Sequence, residues 1–234
     1  MSEDGGLLIY TDGPTGNLGF VDIADPRDPK PSGVLEMSGE PTSVAVASPY
    51  ALAAVNTSQS FSDPSGELAV VDIVNRSIVR RIDLGGQPDS IAVSSDKRYA
   101  AIAIENERDE DAGDGRPPQP PPGFVVIVDL QGPPPEWGTR KVDLVGVPTL
   151  FPDDPEPEYV AINDRNIAAV TLQENNHVVL IHLPTGEIFK HWGAGAADLR
   201  RVDVSENDLI ELEGELAGVR NSSQDSTAIP EKFL

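Results

Sequence analysis

The chain has 234 residues, no cysteine and a formal net charge of −22, from 39 acidic against 17 basic residues. That charge repels phosphate backbones and anionic lipid, which argues against nucleic acid as a partner; the missing thiols exclude disulfides, thiolate nucleophiles and cysteine-ligated zinc. With 38% hydrophobic residues the chain can bury one large all-β core or two small ones, and no window approaches the apolar length of a membrane span.

The N-terminus, MSEDGGLLIY, has neither the basic region nor the apolar stretch of a signal peptide. Short strands rich in Val, Ile and Ala then follow one another, separated by Gly, Pro, Asn and Asp joints. An incomplete unit spans 5–38, where GLLIYT, GNLGFVDI and PSGVLEMS supply three strands without a leading proline turn. The next unit, 39–84, is complete: GEPTSVAVASPYALAAVNTS gives two strands and GELAVVDIVNRSIVRRIDL two more. The same plan returns at 86–144, in GQPDSIAVSSDKRYAAIAIENE and GFVVIVDLQG…TRKVDL, and more loosely at 155–192, in PEPEYVAINDRNIAAVTLQENN and NHVVLIHLPTGEIFKHW. The remainder, 193–234, reads as a C-terminal segment with no convincing strand, polar and disordered at its end, 220–234.

Asp22, Asp72, Asp129 and His182 hold the same place in successive units, separated by 50, 57 and 53 residues. That is the period of a propeller blade. The fold class predicted is therefore all-β, a β-propeller of four-stranded blades with about three full blades and one incomplete. The recurring acid at the end of the third strand reads either as a ring of ligands or as an acceptor for turn amides. A closed ring needs at least four blades. Either the chain is a truncated product, or its open edge is covered by another copy or another protein, because an uncovered edge invites aggregation.

The stretch 70–104 closely matches the YVTN-type or lactonase-like propeller repeat. Taken together, GNLGFVDIADPRDPKPSG, GEPTSVAV, GGQPDSIAVSSDKRYAAIAIENERDED, PPGFVVIVDL, EPEYVAIN and TLQENNHVVLI resemble the choice-of-anchor I family over roughly residues 5 to 215. That family includes mesenchyme-specific cell-surface glycoproteins, and its members are often labelled alkaline phosphatase-like or phytase-esterase-like. The resemblance implies a secreted or cell-surface propeller with bound calcium.

The acids follow the blade geometry. In a four-stranded blade the loop between the second and third strands and the turn into the first strand emerge on one face. The former loops carry Asn56, then Glu105, Glu107, Asp109, Glu110, Asp111 and Asp114, then Glu174 and Asn175; the latter turns carry Glu40, Asp89, Asp153, Asp154, Glu156 and Glu158. Carboxylates gathered at one mouth repel one another unless cations neutralise them. Calcium suits such a set, since it takes six to eight oxygen ligands in flexible geometry. Glu105 and Glu174, which follow strands directly, are the first candidate metal ligands, with Glu107, Asp109, Glu156 and Glu158 after them. The alternative is a solvated acidic rim, with RPPQPPPG as a stiff spacer in a long loop. Neither DEDAGDG nor DVSENDLIELEGE keeps the spacing of an EF-hand loop.

Catalytic residues are few. The histidines are His177, His182 and His191, with no H-E-x-x-H, G-x-S-x-G or Walker-type loop. His177 lies in sequence beside the acidic loops and reads as a base, a ligand or a hydrogen-bonding residue at a strand start. Two functions stay open: a non-catalytic, calcium-binding propeller for binding, adhesion or mineral handling, and a calcium-dependent phosphatase-, phytase- or esterase-like hydrolase in which calcium activates water. Three N-x-S/T sequons, at Asn56, Asn75 and Asn221, matter only in a secreted eukaryotic protein.

Overall fold

A computed structural model describes residues 1–109, 111–113, 117–202, 209–211 and 214–220. The first sheet has three strands, β1 (Leu7–Asp12), β2 (Asn17–Asp22) and β3 (Lys30–Glu36). Three four-stranded antiparallel sheets follow. They comprise β4 (Glu40–Ala47), β5 (Tyr50–Asn56), β6 (Gly66–Asp72) and β7 (Ser77–Asp83); β8 (Pro88–Val93), β9 (Tyr99–Ile104), β10 (Phe124–Asp129) and β11 (Thr139–Asp143); and β12 (Pro157–Ile162), β13 (Ile167–Leu172), β14 (His177–His182) and β15 (Glu187–Gly193). Each sheet is a meander in chain order, the blade of an open β-propeller. The three full blades and the incomplete first one are those the repeats predict.

The C-terminal segment departs from that prediction. Residues 196–202 and 214–220, expected to lack strands, pair as the antiparallel hairpin of β16 (Ala196–Val202) and β17 (Gly214–Arg220). Its register shifts twice, between Ala197 and Leu199 and between Leu199 and Val202. A strand with two such irregularities does not keep the strict two-residue period by which sequence reveals a strand. The expected disorder beyond 220, and the sequon at Asn221, lie outside the described residues.

Hydrophobic residues on both strand faces make the stack of blades. On β5 and β6, Leu52, Ala54, Leu68 and Val70 point toward the third sheet and join Ile102, Ile104 and Val126. Their neighbours Ala51, Ala53, Val55, Ala69 and Val71 point the other way and meet Ile9, Leu18 and Phe20 of the first sheet. The third and fourth sheets meet through Ala101, Val125, Ile127, Val170, Val179 and Ile181. Alternating Ala with Val, Ile and Leu lets consecutive sheets approach closely. Serines fasten the inner strands: Ser43 Oγ accepts from the Ile91 amide at 3.3 Å, and Ser90 Oγ from the Val160 amide at 3.0 Å. The two serines occupy the same repeat position, in PTS and PDS.

The recurring acid holds its turn. Asp22 accepts from the Ala24 amide at 2.9 Å, Asp72 from the Asn75 amide at 2.8 Å, and Asp129 from the Gln131 amide at 3.1 Å. His182 replaces this acid with an Nδ1 contact to Thr185 Oγ1 at 3.0 Å, and its carbonyl accepts from the Gly186 amide at 2.8 Å. Loss of one such turn bond costs about 1 kcal/mol. Asp129→Ala therefore lowers the melting temperature by a few degrees, read by scanning fluorimetry, and leaves any cation-induced stabilisation unchanged. A lost cation response in that variant would revive the ligand reading of this position.

Candidate functional site

The second-to-third-strand loops and the turns into the first strands are tied together by asparagine, and the tie repeats. Asn106 Oδ1 accepts from the Gln87 amide at 2.9 Å while its Nδ2 donates to the Pro122 carbonyl at 3.1 Å. One blade later, Asn175 Oδ1 accepts from the Glu156 amide at 2.9 Å and its Nδ2 donates to the Asp154 carbonyl, also at 2.9 Å. Both asparagines are buried, at 2% and 1% exposure. Each follows a glutamate, in Glu105-Asn106 and Glu174-Asn175, so the buried amide fixes the height at which the preceding carboxylate leaves the strand. The acids thereby converge on one mouth. Asp89, Glu107, Glu158 and Glu156 all act electrostatically on Glu105.

An arginine that the acid pattern obscures divides this mouth. Arg108 Nη1 donates to both carboxylate oxygens of Glu156, at 3.1 and 3.0 Å, and its Nη2 lies 3.4 Å from Glu174. The pair is enclosed: the Arg108 side chain is 11% exposed and that of Glu156 3%. Two of the six candidate ligands, Glu156 and Glu174, thus already face a cation built into the chain. Asp109 uses its Oδ1 to accept from the Asp111 amide at 3.0 Å, a turn within its own loop. Gln119 closes that loop: its amide donates to Asp154 Oδ2 at 2.7 Å, and its Oε1 accepts from the Asp109 amide at 2.9 Å. Glu110 and Asp114 lie outside the described residues.

Glu105 and Glu107, with Asp89, form the other half. They line an open cavity of about 430 Å³ together with Glu40, Thr42, Asn56 and Gln87. Gln87 donates to Glu107 at 3.3 Å. No hydrogen-bond donor or cation among the described residues reaches the Glu105 carboxylate, which burial, reinforced by Asp89, Glu107, Glu158 and Glu156, pushes up to about 9. Burial, with Asp89 next, moves Glu158 to about 7, and burial with Glu107 moves Asp89 to about 6. Glu156 stands at about 7, because burial outweighs the opposing pull of Arg108.

Among the described residues, no three His, Asp or Glu side chains are drawn together as metal ligands. The donor chemistry nonetheless suits a hard cation: carboxylates, the amide oxygen of Asn56 and the hydroxyl of Thr42 line the cavity with a desolvated carboxylate that has no counterion among the described residues. His177 takes no part. It is 1% exposed, its Nε2 pairs with His191 Nδ1 at 2.9 Å, and burial followed by His191 depresses its basicity. Of the three readings of His177, base, ligand and hydrogen-bonding residue at a strand start, this contact is the third. Of the sequons, Asn56 lies in the cavity wall and accepts from the Ser58 amide at 2.9 Å, whereas Asn75 is exposed on its turn.

The family model described as the choice-of-anchor I domain matches residues 2–221. No curated protein matches the chain in sequence. Among solved structures, hydrazine synthase of Kuenenia stuttgartiensis is similar at a TM-score of 0.60 and 13% identity, over 78% of this chain and 51% of that one. The β-propeller domain of Myceliophteria thermophila Cps50 (Swd1) is similar at 0.56 and 14%, over 82% and 53%. The WD40 domain of Neurospora crassa Pan2 is similar at 0.53 and 13%, over 78% and 48%. These likenesses carry the propeller fold alone, and the chain spans about half the length of each.

Proposed function

The chain belongs to the choice-of-anchor I family, and from that premise we propose that it is a non-catalytic, calcium-binding propeller of the cell surface or extracellular matrix, which binds its partners through the acidic mouth. The observation that carries this reading is Glu105: a largely buried carboxylate with no donor among the described residues, beside Asp89, Glu107 and Glu158, at the wall of an open cavity. An ionised group in that position needs a counter-cation. Calcium supplies two positive charges and accepts irregular oxygen sets, and Glu105, Glu107, Asp89 and Glu158 would hold it. Glu156 and Glu174 serve a different role here, anchoring the rim to Arg108. Among the described residues no helix is long and apolar enough to cross a membrane.

Affinity in the range of extracellular modules, about 10⁻⁴ to 10⁻³ M, fits a site this open. Calorimetric titration of the protein with calcium chloride tests it, run beside an assay with a phosphate-ester substrate. The expected result is saturable binding without turnover, weakened at least about tenfold by Glu105→Gln. Calcium-stimulated turnover would replace this reading with the phosphatase-like or phytase-like one. The calcium proposal fails outright if titration releases no heat and chelation leaves the melting temperature where it was.

A further inference from the structure

The mouth holds the same inter-blade junction twice, and among the described residues only one of the two carries a cation of the chain's own. The asparagine ties set the correspondence. Asn106 with Gln87 in the third sheet matches Asn175 with Glu156 in the fourth, and both bonds span 19 residues. Glu105 therefore answers to Glu174, and Asp89 to Glu158. At the junction of the third and fourth sheets, Arg108 reaches out of the loop after β9 and sets its two terminal nitrogens on Glu156 and Glu174. One blade earlier, the loop after β5 borders Glu105 across the cavity of about 430 Å³. Pro41 pairs with Val55 and Pro88 with Ile104, so Gln59, the fourth residue beyond Val55, takes the place of Arg108, the fourth beyond Ile104. Gln59 is neutral and exposed, and its Nε2 turns back to the Thr57 carbonyl of its own loop at 3.4 Å. The carboxylates of Asp89, Glu105 and Glu107 thus face a neutral amide where the next junction presents a guanidinium.

We infer that this cavity takes a guanidinium from outside the chain, an arginine side chain of a partner protein, seated on Glu105, Asp89 and Glu107 as Arg108 is seated on Glu156 and Glu174. The inference rests on the reading of the mouth as a binding site and names the chemistry of the partner. Three features suit an extended cation. The carboxylates line the walls without being drawn together as metal ligands, a spacing that a planar group with donors on several sides can bridge. The cavity has the volume of a small-ligand pocket and admits a side chain with its stem. Phe61, 41% exposed, brings an aromatic ring to the rim, where it meets a guanidinium or the methylenes behind it. Calcium and the arginine draw on the same carboxylates and exclude one another, so calcium regulates this contact.

Calorimetry with the blocked peptide acetyl-Gly-Arg-Gly-amide, in chelator at about 0.15 M salt, where general attraction to the acidic surface is screened, tests the inference. The wild type is expected to bind this peptide at least about tenfold more tightly than the citrulline peptide, which has the same shape without the charge. Gln59→Arg supplies the cation from the chain itself, so it raises the melting temperature and weakens the peptide at least about tenfold. Glu105→Gln weakens the peptide likewise, while Val145→Arg, exposed on another sheet, leaves its affinity unchanged. Circular dichroism reports that the variants remain folded. Calcium binding without discrimination between the two peptides overturns this inference and leaves the calcium reading standing. Selective binding of the arginine peptide that millimolar calcium does not displace supports the inference and removes calcium from these carboxylates. Binding as tight to Gln59→Arg and Glu105→Gln as to the wild type overturns the inference, since the peptide is then held elsewhere on the surface.

Discussion

In the presence of a chelator, the melting temperature of this protein falls as the pH is raised from about 6.5 to about 9, and millimolar calcium removes most of that fall. The sign follows from the acids of the mouth. Glu105 is pushed up to about 9 and Glu156 and Glu158 to about 7, whereas unfolded glutamates titrate near 4.3. Throughout that window the folded chain holds protons that the unfolded chain has released, so each further rise in pH favours unfolding. A tenfold change in acidity is worth about 1.4 kcal/mol, and screening at the open mouth reduces what each group delivers, leaving a total of several kcal/mol. Below the window other groups act in the opposite sense. His177, with its basicity depressed, loses stability as pH falls below about 6.5, and Asp4, Asp72 and Asp96, held low by hydrogen bonds, lose it as pH falls further. Calcium binds ionised carboxylates and so removes the penalty on the alkaline side alone. Scanning fluorimetry over a pH series at constant ionic strength, with and without calcium, gives the measurement. A flat alkaline limb in chelator would mean that the mouth acids are not desolvated.

The repeat, the blade count and the shared mouth are legible in the sequence because each rests on a local rule that the packing reinforces. FVVIVD reads as a strand buried on both faces, and Phe124 through Val128 are so buried. The acids sit on alternate connections, and connections of that parity leave one side of a propeller; the Asn106 and Asn175 ties then fix them there. What the sequence hides is pairing. Arg108 is one base among six acids between Glu105 and Asp114, and nothing in that run tells which acids it joins, since Glu156 and Glu174 are distant in the chain. Asn175 is legible as an oxygen donor on its loop, yet its oxygen is spent on the Glu156 amide, as that of Asn106 is on the Gln87 amide. Only the fact that each follows a glutamate at a strand end hints at that role. The β16–β17 hairpin escapes for a different reason: two register shifts within seven residues erase its period.

Removing the arginine has the largest effect expected of any single change at the mouth. Arg108→Ala leaves Glu156, 2% exposed, without the guanidinium that bonds both its oxygens, and brings it back into repulsion with Asp154 and Glu174. Breaking a buried ion pair from one side costs about 3–5 kcal/mol, more than the pair itself contributes, because the remaining charge stays buried. Chemical denaturation of Arg108→Ala at about pH 9, where Glu156 is ionised, is expected to show a loss of that size. Three further readings separate charge from packing. The Arg108→Ala, Glu156→Gln double variant recovers most of the loss, since the orphaned charge is gone. The single variant recovers below about pH 7, where Glu156, raised to about 7 by burial even against the pull of Arg108, takes up a proton. Arg108→Lys restores only part, because a single ammonium does not span Glu156 and Glu174 as Nη1 and Nη2 of Arg108 do. Calcium should then stabilise Arg108→Ala more than the wild type, as Glu156 and Glu174, released from the guanidinium, join the carboxylates around Glu105. A loss below about 1 kcal/mol, the size of an exposed surface pair, would mean that the mouth is wetter than its burial indicates and that Arg108 does not divide it.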